Sequence, residues 1–159
     1  MSDNNIGGDN KRSLFSGLGS CTALRSLLLS SNSLDDADAT SLATDLLQNN
    51  QSLTALDLSQ NEIGDEGAMK LARVLRASSA LRDFNLMEND VHDVGALAIA
   101  EAVAACSSLT SLNLSGNDFG DESKRVVLAC KSATLAVVEA DECAPVAFDT
   151  NGPAGWQDK

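Results

Sequence analysis

Residues 53–75 read LTALDLSQNEIGDEGAMKLARVL. Leu56 and Leu58 alternate with Asp57, the period-two pattern of a strand with one buried face. A Gly-Asp-Glu-Gly turn follows at 64–67, and then Ala68, Leu71, Ala72 and Leu75 recur at spacings of three and four, one face of a helix. Strand, turn and helix are thus packed into one stretch too short to bury its own apolar face.

The stretch is one of four copies. The pattern L-x-x-L-x-L-x-x-N-x-Φ, with Φ apolar, appears as LRSLLLSSNSL from Leu24, LTALDLSQNEI from Leu53, LRDFNLMENDV from Leu81 and LTSLNLSGNDF from Leu109. The first Leu recurs after 29, 28 and 28 residues. The third copy has its own helical stripe in Ala96, Ile99, Ala100 and Val103. Units of this kind bury their apolar faces only by stacking on neighbours, which makes the chain a solenoid of strand–turn–helix repeats.

The ends depart from the period. Residues 4–23 align by a 28-residue shift with the second half of a repeat, Asn4 on Asn32 and Leu14 on Leu42, and read as a half-repeat without a strand. Residues 135–143 read as a degenerate strand with Cys143 where the repeated Asn would stand. The repeat domain is therefore expected over 1–143. Residues 144–159 carry turn residues and no period, and are expected to form an irregular tail.

Composition narrows the function classes. The net charge of −12 disfavours nucleic acid and anionic membrane surfaces and suits a protein partner with basic character. No apolar run is long enough to span a membrane and the N-terminus lacks a signal-peptide core, so a cytoplasmic protein is expected. Cys21, Cys106, Cys130 and Cys143 form no CxxC pair and have no nearby His, which argues against a metal site and for small, mostly buried thiols. One His, no Cys–His pairing and no base beside the Ser-rich LLLSSNS leave no catalytic constellation. No cofactor or metal is expected, and the chain reads as a non-enzyme.

The turn residues have structural readings. Three positions past each repeated Asn stand Asp35, Gly64, His92 and Gly120, residue types that tolerate positive φ, so a left-handed backbone is expected there. The acids that follow, Asp36, Asp38, Asp65, Glu66, Asp93, Asp121 and Glu122, fall at helix starts, where carboxylates cap free N–H groups and oppose the helix dipole. Stacking would align them into a negative ridge. Gly67 and Gly95 suggest a close approach of helix to strand.

These repeats, with their NEIGDEGA continuation, resemble the leucine-rich repeats of the ribonuclease-inhibitor-like subfamily, found also in Ran GTPase-activating and NOD-like receptor proteins. The resemblance implies a right-handed α/β solenoid, a short horseshoe with a parallel sheet on the concave face and helices on the convex face. It implies a structural ladder formed by Asn32, Asn61, Asn89 and Asn117, and a protein–protein interaction module.

Function would then lie in the variable strand residues that point onto the concave face. These are Leu28, Ser30, Ala55, Asp57, Ser59, Asp83, Asn85, Met87, Asn113 and Ser115, a small and mildly acidic surface without Trp, Tyr or Arg anchors. An alternative is a GTPase-activating role of the Ran type, for which Arg25 and Arg82 are the available cations. A third is a segment of a longer array, or a chain that self-associates through the edge of its N-terminal strand.

Overall fold

A computed structural model of the chain describes Ile6, residues 11–130 and residues 137–140. Five three-residue strands form one parallel sheet in sequence order: β1 (Ser26–Leu28), β2 (Ala55–Asp57), β3 (Asp83–Asn85), β4 (Ser111–Asn113) and β5 (Val137–Glu139). Helices α1 (Lys11–Gly19), α2 (Asp36–Ser41), α3 (Asp65–Ala77), α4 (Asp93–Ala105) and α5 (Asp121–Ala129) stand between or before them. The result is an α/β solenoid in which the long crossovers that parallel pairing requires are supplied by helices. β5 lies inside the stretch read as a degenerate strand, while Cys143 and the tail lie outside the described residues.

The register places Leu27, Leu56, Phe84 and Leu112 side by side, all buried. A second row, Leu29, Leu58, Leu86 and Leu114, is wholly inaccessible and belongs to one buried core with Leu71, Ile99 and Val127 from the helices. Each fully buried side chain of this size contributes about 1.5–3 kcal/mol.

The 29-residue first interval has a structural counterpart. After α2 the chain widens into a π-helical stretch, Leu42–Leu47, in which the Gln48 N–H reaches back five residues to the Ala43 carbonyl at 3.2 Å. A π turn absorbs one extra residue without breaking the helix. The odd spacing was its signal in the sequence.

Asparagines tie the repeats together. Asn61 Oδ1 accepts the N–H groups of Asn32 and Leu34, both at 3.0 Å, and its Nδ2 donates to the carbonyls of Leu29, Leu58 and Ser59. Asn89 and Asn117 repeat the scheme, accepting from Ile63 and Val91 and donating to Leu58 and Leu86 of the preceding unit. The series extends into the half-repeat, where the Ile6 N–H donates to Asn32 Oδ1 at 3.2 Å.

The left-handed positions are not where the sequence suggested. Asp35, Gly64, His92 and Gly120 have extended backbone with φ of −98°, −96°, −103° and −75°. Positive φ occurs instead immediately before each ladder Asn, at Ser31, Gln60, Glu88 and Gly116, and again at Ser33. The chain turns there sharply enough for the Asn amide to reach back to carbonyls two and three residues earlier in its own unit, a constraint stronger than the mild penalty for a non-Gly residue.

Helix caps also run between repeats. Gly64, His92 and Gly120 begin their helices and offer no side-chain cap of their own. The first residue of the preceding helix supplies it. Asp36 Oδ1 accepts from the Gly64 and Gly67 N–H groups at 2.7 and 2.9 Å, and Asp65 Oδ1 from those of His92 and Gly95 at 2.9 and 2.8 Å. Asp93 Oδ1 accepts from the Gly120 N–H at 2.8 Å. The half-repeat has Gly8 where an Asp would stand 28 residues before Asp36. There, α2 caps itself with a reciprocal Asp35–Asp38 box, and Lys11 pairs with Asp38.

This geometry explains the helix glycines. A Cβ on Gly67 would lie 2.7 Å from Asp36 Oδ1 and 2.9 Å from Ala39 Cβ, and one on Gly95 2.6 Å from Asp65 Oδ1. The close approach is thus to the capping carboxylate and the neighbouring helix, not to a strand as the sequence suggested. Gly67→Ala is expected to destabilise by about 1–3 kcal/mol in chemical denaturation. Gly17→Ala, whose Cβ would meet nothing within 4 Å in α1, should stabilise by about 0.5–1 kcal/mol. Asn61→Ala, which removes five hydrogen bonds and leaves buried backbone groups unpaired, should cost about 3–5 kcal/mol in the same assay.

Candidate recognition face

Each strand contributes three residues, so the open face of the sheet is a grid set by the parallel register. Ser26, Ala55, Asp83 and Ser111 form its first row, and Leu28, Asp57, Asn85 and Asn113 its second. Ser30, Ser59, Met87 and Ser115 follow two residues further along each chain. Ser31, Gln60 and Glu88 close the edge, where Ser31 Oγ donates to Gln60 Oε1 at 2.8 Å and Gln60 Nε2 to Glu88 Oε2 at 2.9 Å.

Much of the second row holds the turn in place. Asp57 Oδ1 accepts from the Ser59 N–H at 3.0 Å, from Ser59 Oγ at 2.7 Å and from Asn85 Nδ2 at 3.1 Å. Asn85 Oδ1 takes the Met87 N–H and Asn113 Oδ1 the Ser115 N–H, at 3.0 and 2.9 Å. An Asp or Asn accepting from the N–H two residues on is an Asx turn, so the side chain closes its own strand end. Ser59, Asn85 and Asn113 are buried accordingly, while Ala55, Asp57, Asp83, Met87, Ser30 and Ser115 remain half-accessible. By sequence alone these Asp and Asn side chains read as recognition groups. The D-x-S and N-x-M/S spacing was the signal for their second role.

Leu28 is the exception in its row. It has no side-chain acceptor to offer, and it is 46% exposed at the outer strand of the described sheet. Burial pushes the Asp83 carboxyl up, an effect the adjacent Arg82 partly offsets. Arg25 Nη1 donates to the Thr22 and Ser52 carbonyls at 3.1 and 3.4 Å, and Arg82 is exposed.

The remaining chemistry-bearing residues are dispersed. His92 is exposed at the start of α4, 3.8 Å from Asp118. Cys21 is exposed rather than buried, Cys106 is buried, and Cys130 is half-buried with its thiol pushed up by desolvation; Cys143 lies outside the described residues. Among the described residues no three His, Cys, Asp or Glu side chains gather as a metal site, and no helix is long and apolar enough to cross a membrane.

Residues 49–72, 77–100 and 105–123 match the family described as Leucine Rich repeat. These units are leucine-rich repeats. No curated protein sequence matches the chain significantly. Among solved structures, the C-terminal domain of Caenorhabditis elegans tropomodulin aligns over 86% of this chain and 85% of its own, with TM-score 0.72 and 15% identity. Leiomodin-1 Actin-Binding Site 2 aligns over 81% of this chain and 75% of its own, with TM-score 0.63 and 18% identity. At such identities the leucine-rich repeat fold is what is shared.

The acids of this fold give opposite pH signatures. The Ser123 hydroxyl and the Gly120 N–H hold Asp93 below its usual 3.8, and the Asp38 N–H does the same for Asp35. Their contribution to stability is present above the unfolded value and lost as pH falls through their lowered folded values. Asp83, raised, is destabilising above its folded value and neutral in effect once protonated. Asp83→Asn should therefore raise the melting temperature at pH 7, and Asp93→Asn should lower it. In melts followed by circular dichroism the Asp83 difference should fade as pH falls through its raised folded value and be gone by about pH 3.8. The Asp93 difference should hold down to about pH 3.8 and shrink below it.

Proposed function

We propose that this chain is a non-enzymatic protein-recognition module that receives its partner on the concave sheet face. The observation that carries the proposal is the open grid of small side chains in which Leu28, 46% exposed, is the one well-exposed apolar group, with half-accessible Met87 two strands away. Ala55, Asp57 and Asp83 lie among them, with Ser30 and Ser115 beside them. Ser59, Asn85 and Asn113 support the surface from beneath. Two modest apolar anchors and a few carboxylates suit a contact of limited strength. The net charge of −12 favours a basic patch on the partner.

Leiomodin-1 Actin-Binding Site 2 is named for actin, and its fold is this one, which makes actin the first partner to test. The expected outcome is that the chain co-sediments with filamentous actin or shifts monomeric actin on a native gel. Met87→Arg and Asp83→Lys should each weaken the contact roughly fivefold. Absence of binding to both actin forms removes actin as the partner. A partner that binds both variants as well as it binds the parent chain removes the concave face.

The exposed Leu28 on the outer strand favours a second reading, self-association through the β1 edge. Sedimentation equilibrium should then show a concentration-dependent dimer that Leu28→Glu abolishes, and a strict monomer overturns it.

A further inference from the structure

The π turn has a consequence on the opposite side of the molecule from the concave face. Between the end of the π stretch of the first full repeat and α3 lies a groove of about 270 Å³. It is lined by the apolar side chains of Leu47, Val74 and Ala77 and by the polar ones of Gln48, Gln51, Arg73 and Ser78. Next to it, sharing Leu47, Val74 and Ser78, lies a small void of about 20 Å³ among Leu53, Leu56, Leu71 and Phe84.

Electrostatics select among occupants. In a chain of net charge −12, α3 gathers Lys70, Arg73 and Arg76 along one side. Among the described residues none of the three forms an ion pair, whereas Lys11 pairs with Asp38 and Arg125 with Glu122. Gln48 and Gln51 likewise make no side-chain hydrogen bond. Unpartnered guanidinium and amide groups around an apolar slot match an extended peptide with one apolar side chain and adjacent carboxylates. A phosphate or nucleic-acid backbone has no apolar side chain to place over Leu47, Val74 and Ala77 and would leave that part of the groove unused.

We infer that the groove between the π turn and α3 is a second binding site, which takes an acidic peptide segment of a partner protein. An apolar side chain of the peptide fills the slot over Leu47, Val74 and Ala77. A flanking carboxylate pairs with Arg73, with Arg76 and Lys70 extending the favourable field. Gln48 and Gln51 can each donate to a peptide carbonyl and accept from a peptide N–H. The inference is independent of the concave-face proposal, because no residue is shared between the two surfaces.

The test uses the full chain and short capped peptides in which one Leu or Phe is flanked by Asp and Glu, compared with the same peptides carrying Asn and Gln. Binding is followed by amide chemical shifts in two-dimensional NMR. Acidic peptides should shift the amides of Gln48, Gln51, Ala77 and Ser78, and weaken with added salt. The neutral peptides should bind roughly fivefold more weakly. Arg73→Glu should reduce acidic-peptide affinity by a similar factor or more, and Ala77→Trp should block the slot. Arg73→Gln, a substitution on an exposed position that should not disturb folding, keeps the charge test valid if Ala77→Trp does not fold. Asp83→Lys and Met87→Arg, on the concave face, should leave peptide binding unchanged. The inference is overturned if no peptide binds at millimolar concentration, if acidic and neutral peptides bind alike, if the shifts fall outside the groove, or if a single-stranded oligonucleotide displaces the acidic peptide.

Discussion

The solenoid depends on one asparagine per repeat whose amide is committed entirely to backbone. A parallel sheet of three-residue strands leaves the turn after each strand inside the protein, where unpaired N–H and C=O groups are expensive. Asn61 alone satisfies five such groups, three in the preceding unit (the Asn32 and Leu34 N–H groups and the Leu29 carbonyl) and two in its own turn (the Leu58 and Ser59 carbonyls). The left-handed residue before each ladder Asn follows from this: without the sharp turn the amide would not reach. The apolar rows can then stack in register, and the faces of the solenoid follow from that stacking.

A second set of inter-repeat contacts lies at the helix starts. A carboxylate at the first position of one helix caps the next, so a helix can begin with Gly or His and still have its N–H groups satisfied. The arrangement makes each cap a property of two repeats, and it explains why glycine is required at positions 67 and 95, where the carboxylate and the neighbouring helix occupy the space of a Cβ. Ser123 stands at the corresponding place in the last described helix and donates to Asp93 instead of leaving room for it. The first full repeat, with Gly8 at the matching position 28 residues before Asp36, closes its own cap through Asp35 and Asp38.

The two surfaces available for recognition have different origins. The concave face is a by-product of the regular register, and part of its polarity serves the Asx turns, which leaves Leu28, Ala55, Asp57, Asp83 and Met87 as the more accessible set. The groove beside α3 arises from irregularity, where an extra residue swells a helix into a π turn. The repeated features of this chain build the scaffold, and two departures from the pattern, the apolar Leu28 in the second row of the sheet and the π turn at Leu42–Leu47, border the two candidate surfaces.

By itself the sequence determined the repeat length, the order of strand and helix, the leucine rows and the position of the ladder asparagines. All of these are written in periodicities local to one unit and multiplied four times. It misplaced the left-handed turn, read Asp36, Asp65 and Asp93 as caps of their own helices, and treated Asp57, Asn85 and Asn113 as free to recognise a partner. Those assignments depend on which N–H a side chain meets. Residues 28 apart become neighbours only when the repeats stack, so the partner of each polar group was decided by tertiary structure alone.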